Sequence, residues 1–100
     1  MKLADLKRIP IGTKLRLIRC LVGATPGNNL RVVEKVQSNG VWFRRPEEPE
    51  KKELTWLDFP KASDFQADED GFTVFATNRY EGSNPRTERA VAAQYKFVKE

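Results

Sequence analysis

Leu30–Arg45, LRVVEKVQSNGVWFRR, sets two runs rich in Val and aromatic residues on either side of Asn39-Gly40. That dipeptide is the strongest short-range signal for a two-residue β-hairpin. A type I′ turn needs positive φ at both central positions, and Asn and Gly tolerate it. A loop at Asn39-Gly40 pairs Ser38 with Val41, Gln37 with Trp42, Val36 with Phe43, Lys35 with Arg44 and Glu34 with Arg45. Side chains alternate between faces along a strand. One face then carries Leu30, Val32, Val36 and Phe43, a core face, with Glu34 opposite Arg45 as a cross-strand ion pair. The other carries Arg31, Val33, Lys35, Gln37, Trp42 and Arg44.

The second face has the chemistry of a nucleic-acid platform. Lys and Arg neutralise phosphates and release counterions, and a Trp between them offers a flat surface on which a base stacks. Arg44 opposite Lys35 is a like-charge pair, which an overlying polyanion relieves. The competing reading covers Trp42 with the N-terminal turn or a C-terminal helix and makes it core, because large aromatics are highly buried on average.

Upstream of the hairpin, Leu3, Leu6 and Ile9 share a three-residue spacing that fits a short helical turn, stopped by Pro10 and Gly12. Residues 13–22 read as a strand. Leu15 and Leu17 alternate there with Lys14 and Arg16, then the apolar parity shifts to Ile18, Cys20 and Val22. Such a shift predicts a β-bulge or a sharp bend, common where small barrels close. Residues 23–29, GATPGNN, form a loop.

Downstream, residues 45–52 read as a polar loop, residues 53–59 as a strand, Asp68-Glu69-Asp70-Gly71 as an acidic turn and residues 72–76 as a strand. Leu54 and Trp56 on one face of the 53–59 strand, with Leu57 and Phe59 on the other, make both faces apolar, so Trp56 reads as core. Asn84 and Pro85 fit an N-cap and a first helical position, and Val91, Tyr95 and Val98 fall on one helical face. AQYKFVK also alternates as a strand would; the helix is the preferred reading.

The chain has 100 residues and a net charge of +4, unevenly spread. Residues 1–45 are strongly basic, residues 46–76 acidic and residues 77–100 mildly basic. Segregation of this kind provides a basic face for polyanions, unless the two segments adjoin in the fold and neutralise one another. Cys20 is the single cysteine, which excludes an intramolecular disulfide and favours a reducing compartment. The N-terminus lacks the apolar run of a signal peptide, and no run is long enough to cross a bilayer. The expected setting is soluble and cytoplasmic, with no membrane partner.

Support for catalysis is thin. With no histidine, the commonest general base and metal ligand are missing, and Cys20 has no His partner. No phosphate-binding glycine loop occurs. The acidic turn fails the EF-hand spacing: with Gly71 as the sixth loop position, the first and twelfth are Gln66 and Thr77. No metal, cofactor or catalytic residue is expected.

These signals predict a single domain over 1–100: an N-terminal turn at 1–12, a β core at 13–76, and a basic loop with a terminal helix at 77–100. The expected fold is mainly β, a small, strongly bent five-stranded barrel of SH3-like architecture; the alternative is an α+β fold with an antiparallel sheet. The expected function is a non-enzymatic binding module that engages DNA or RNA through Arg31, Lys35, Trp42 and Arg44. Arg79 and Arg86 flank the loop at 82–85 as further phosphate contacts. The alternative is a protein-interaction module, an adaptor or an inhibitor of a nucleic-acid enzyme from a mobile genetic element. It would use the acidic segment or an exposed sheet edge, and segregated charge also permits self-association.

Overall fold

The computed structural model of the chain describes residues 1–20, 23–24, 29–48, 53–81 and 88–98, with the backbone alone described at 23–24, 77–81 and 88–89. A one-turn helix, α1 (Leu3–Leu6), comes first. The Asp5 carboxylate accepts the Lys2 backbone N–H at 2.7 Å and holds the chain entry. Among the described residues eight strand segments follow: β1 (Lys14–Cys20), β2 (Gly23–Ala24), β3 (Leu30–Gln37), β4 (Gly40–Arg44), β5 (Thr55–Asp58), β6 (Phe65–Ala67), β7 (Gly71–Glu81) and β8 (Glu88–Phe97). A 3-10 turn at Ala62–Asp64 precedes β6.

All pairings are antiparallel, in the order β5-β4-β3-β1-β8-β7-β6, with β2 attached to β1. The protein is thus mainly β, built on one antiparallel sheet. Neighbouring strands lie about 4.8 Å apart. Phe43 on β4 and Tyr95 on β8 are three places apart in that order, yet their ring centroids are 5.3 Å apart. Only a strongly rolled sheet brings them together. Tyr95 continues to Phe72 at 5.4 Å, and Phe72 to Phe65 at 5.8 Å, so a chain of rings crosses the interior from β4 to β6. Leu6 and Ile9 from the N-terminal turn pack into the same core.

The expected bend is present, but the barrel does not close. Among the described residues β5 and β6 end the strand order and do not pair with each other. The parity shift read in β1 is a true irregularity. Leu17 pairs with Tyr95 and Arg19 with Gln94, so Ile18 is extra and Cys20 returns to the inner face opposite Ala93.

The C-terminal helix is not formed. Residues 88–97 are strand β8, which sits between β1 and β7 and uses both backbone edges. Ala93, Tyr95 and Phe97 alternate with Gln94 and Lys96, and the two flanking strands reward that period of two more than a helix would reward one apolar face. The helix-start signal at Asn84 and Pro85 lies outside the described residues. Among those described, no helix is long and apolar enough to cross a membrane.

The hairpin differs from its predicted pairing in two ways. Its two-residue loop is Ser38-Asn39, and Gly40 already belongs to β4 opposite Gln37. Moving the loop back by one residue changes each partner by two, which keeps every side chain on its face. Nearer the strand ends, Glu34 is extra between Val33 and Lys35, and this odd offset reverses the faces of all earlier β3 residues.

Gly40 does not serve the loop by its backbone angle. A Cβ there would fall within the benzo edge of the Trp56 indole and 2.5 Å from the Leu57 carbonyl oxygen. We expect Gly40→Ala to lower stability by about 1–3 kcal/mol, the usual cost of overpacking. Urea denaturation monitored by circular dichroism measures the drop; a variant as stable as the parent contradicts this seating of Trp56.

Candidate nucleic-acid interface

Strand register sorts the charged residues by face. In β1, Leu15 and Leu17 point to the core, so Lys14 and Arg16 point away from it, and Arg19 follows them outward after the bulge. Lys96 on β8 lies opposite Arg16. On β4, Val41 and Phe43 are fully buried, which turns Trp42 and Arg44 outward, with Lys35 opposite Trp42. Six cations therefore share the outer face: Lys14, Arg16, Arg19, Lys35, Arg44 and Lys96.

At one end of that face sit two indoles. Trp42 and Trp56 are direct partners across β4 and β5, with centroids 4.8 Å apart and planes tilted by 52°. Both are half-buried. The Trp56 Nε1–H donates to Asp58 Oδ1 at 2.7 Å, and the Trp42 Nε1–H donates to Gln37 Oε1 at 3.4 Å. The rows run Lys35–Trp42–Trp56 and Lys14–Val32–Arg44 across adjacent strands. Trp42 and Arg44 are thus separated by about 6.8 Å of strand rise.

Acidic groups temper the face without cancelling it. Arg44 pairs with Glu34 at 3.7 Å, the side chains being 50% and 46% exposed. Arg16 pairs with Glu47 at 3.3 Å and also donates to Asn29 Oδ1 at 3.0 Å. Ion pairs this exposed are weak and exchange readily for another anion.

Of the residues expected at the site, Lys35, Trp42 and Arg44 come together on the outer face. Arg31 does not. The bulge at Glu34 turns it inward opposite Leu15, where it is 9% exposed and donates to the Leu30 carbonyl at 3.0 Å. Arg79 lies on β7 with its side chain outside the described residues, and Arg86 lies outside them altogether. Arg44 faces Val32 rather than Lys35, so the like-charge pair is absent. Trp56 is a further correction: Leu57 enters the core and Phe59 packs against it, whereas the indole lies on the outer face.

Lys14, Arg16, Arg19 and Lys96 are residues the hairpin alone did not reveal. The alternation of Lys14 and Arg16 with Leu15 and Leu17 was their signal; missing was the knowledge that β1 lies beside β3 and β8.

The inner face carries a second feature, a cleft of about 590 Å³ left where the roll fails to close. Leu57, Phe59 and Pro60 form one wall, and Leu17, Cys20, Val74, Ala93 and Tyr95 the other. Thr55 Oγ1 is buried there without a hydrogen-bond partner. Burial pushes the Tyr95 phenol up to about 12, against a smaller opposing pull from Arg31. The acidic turn is held by its own side chain, with Asp68 Oδ1 accepting the Asp70 N–H at 2.8 Å. Among the described residues, no group of three or more His, Cys, Asp or Glu side chains is placed to hold a metal ion.

What fold and site define together is a rolled antiparallel sheet with an aromatic core inside and a basic, tryptophan-bearing face outside. No protein-family model, curated protein or solved structure matches the chain.

The Tyr95 shift has a consequence for stability. The folded chain keeps the phenol proton to higher pH than the unfolded chain does. Its contribution is present in full below pH 10 and is lost as pH rises through about 12. Denaturation curves collected across that range should show the parent losing stability and Tyr95→Phe, which keeps the ring, losing less. Parallel losses in the two proteins contradict a buried neutral phenol.

Proposed function

We propose that this protein is a non-enzymatic nucleic-acid-binding module that uses the outer face of its sheet. The observation that carries the reading is the gathering of Lys14, Arg16, Arg19, Lys35, Arg44 and Lys96 with the Trp42–Trp56 pair on one face. Cations at successive strand positions track a phosphate backbone, and the indoles add a surface of different chemistry beside it. Glu34 acts as an exchangeable counterion that phosphate displaces, whereas the Glu47 carboxylate also accepts the Leu30 backbone N–H at 3.0 Å and stays in place. Arg31 is left out of the contact set, and Arg79 and Arg86 are retained only as flanking candidates.

A second reading rests on a different observation. β5 and β6 are the ends of the strand order, and the cleft lies beside β5. A protein partner that adds a strand at the β5 edge and places an apolar side chain in the cleft suits that arrangement, as expected of an adaptor or an inhibitor.

Titration with single-stranded and duplex oligonucleotides at low and moderate salt, followed by tryptophan fluorescence, separates the two. Nucleic-acid binding predicts a fluorescence response and an affinity that falls steeply with salt. Lys14→Ala and Lys35→Ala should each reduce the salt slope by about one. Silence with both oligonucleotides at low salt overturns the nucleic-acid reading and favours the protein partner.

A further inference from the structure

We infer that the outer face selects single-stranded nucleic acid, with a base stacked at the Trp42–Trp56 pair and the backbone running over Lys35, Arg44 and Lys14; this rests on the nucleic-acid reading above. The inference starts from how Trp56 is held. Its benzo edge occupies the space that a side chain at position 40 would fill, so the indole leans over β4 instead of standing upright from the edge strand. Asp58 fixes its other end through the Nε1–H bond of 2.7 Å. An aromatic ring fastened at two points has already lost the freedom that stacking would otherwise remove. It is also only half-buried and belongs to β5, which ends the strand order among the described residues.

Charge then sets the orientation of the ligand. The Asp58 carboxylate stands at the β5 edge, beside Trp56, and repels phosphate there. Lys35 stands on the opposite side of Trp42, on β3, and Arg44 lies two residues along β4 from Trp42, with Lys14 beyond them on β1. A nucleotide chain that satisfies both lays its phosphates over β1, β3 and β4 and directs a base toward β5. Bases in a duplex have their faces covered by their neighbours, whereas a single strand can splay one out. The cations alone would accept either form; the tethered indole favours the single strand.

Fluorescence anisotropy at one fixed low salt concentration tests this with three labelled probes of equal length: a single DNA strand, the corresponding duplex, and an abasic strand that keeps the phosphates. The single strand should bind about tenfold more tightly than the abasic strand, and more tightly than the duplex. Trp56→Ala, checked for folding by circular dichroism, should bring the single strand down to the abasic level while leaving abasic binding unchanged. Should the variant not fold, the abasic comparison on the parent protein decides. Equal binding of the single and abasic strands overturns base stacking while leaving a phosphate-binding face intact. Duplex binding as tight as that of the single strand overturns the selectivity. Failure of all three probes to bind overturns the nucleic-acid reading itself.

Discussion

Phe43 and Tyr95 come from strands three places apart in the sheet, and their rings touch because the sheet rolls around them. Tyr95 also meets Phe72, which meets Phe65 and Phe97, so one aromatic chain ties β4, β8, β7 and β6 into a common interior. Each aromatic pair contributes about 0.5–1.5 kcal/mol beyond the burial of its area. The larger consequence is geometric. With Leu15, Phe43 and Tyr95 drawn into this interior, their chain neighbours Lys14, Arg16, Arg44 and Lys96 turn outward.

Of the register irregularities in the sheet, the two in β1 and β3 make the roll compatible with the sequence. The extra residue at Ile18 allows Leu15, Leu17 and Cys20 to share the inner face although their spacing is not uniform. The extra residue at Glu34 does the same for Val33 and Val36. Bulges increase local twist, which a sheet needs in order to curl. The one at Glu34 also has a chemical effect. It reverses the faces of residues before it, sending Arg31 inward opposite Leu15 and Val32 to the other face, where it is still buried, while Glu34 itself reaches Arg44. A single added residue therefore decides which arginine of the hairpin meets solvent.

The two faces differ in how firmly they are built. Inside, Phe43, Phe72, Leu6 and Leu15 are fully buried. Outside, the tryptophan pair is the best-organised element, since Gly40 makes room for one indole and Asp58 and Gln37 hold the two ring N–H groups. Most of the cations around it are more exposed, and the one nearest along β4, Arg44, carries an exchangeable partner in Glu34. That contrast suits a surface in which the aromatic contact is fixed in advance and the ionic contacts adjust to a flexible polyanion.

The order of residues along the chain was enough for the β character, the N-terminal turn, a bulge or bend in β1, the acidic turn before β7 and a shared face for Lys35, Trp42 and Arg44, with a core or an outer position for Trp42 left open. Each of these is written in local alternation or turn chemistry, and two-residue changes of register leave it intact. The remaining features depended on contacts between segments distant in sequence. Residues 88–97 could satisfy a helical or a strand period, and they became a strand because β1 and β7 pair with both of its edges. Arg31 went inward because the bulge at Glu34 is an odd offset that, unlike the irregularity in β1, no shift of apolar parity announces. Trp56 joined Trp42, and Lys14, Arg16 and Lys96 joined the same face, because strand order is a long-range property: which segments lie side by side is fixed by how the aromatic interior closes, not by neighbours along the chain.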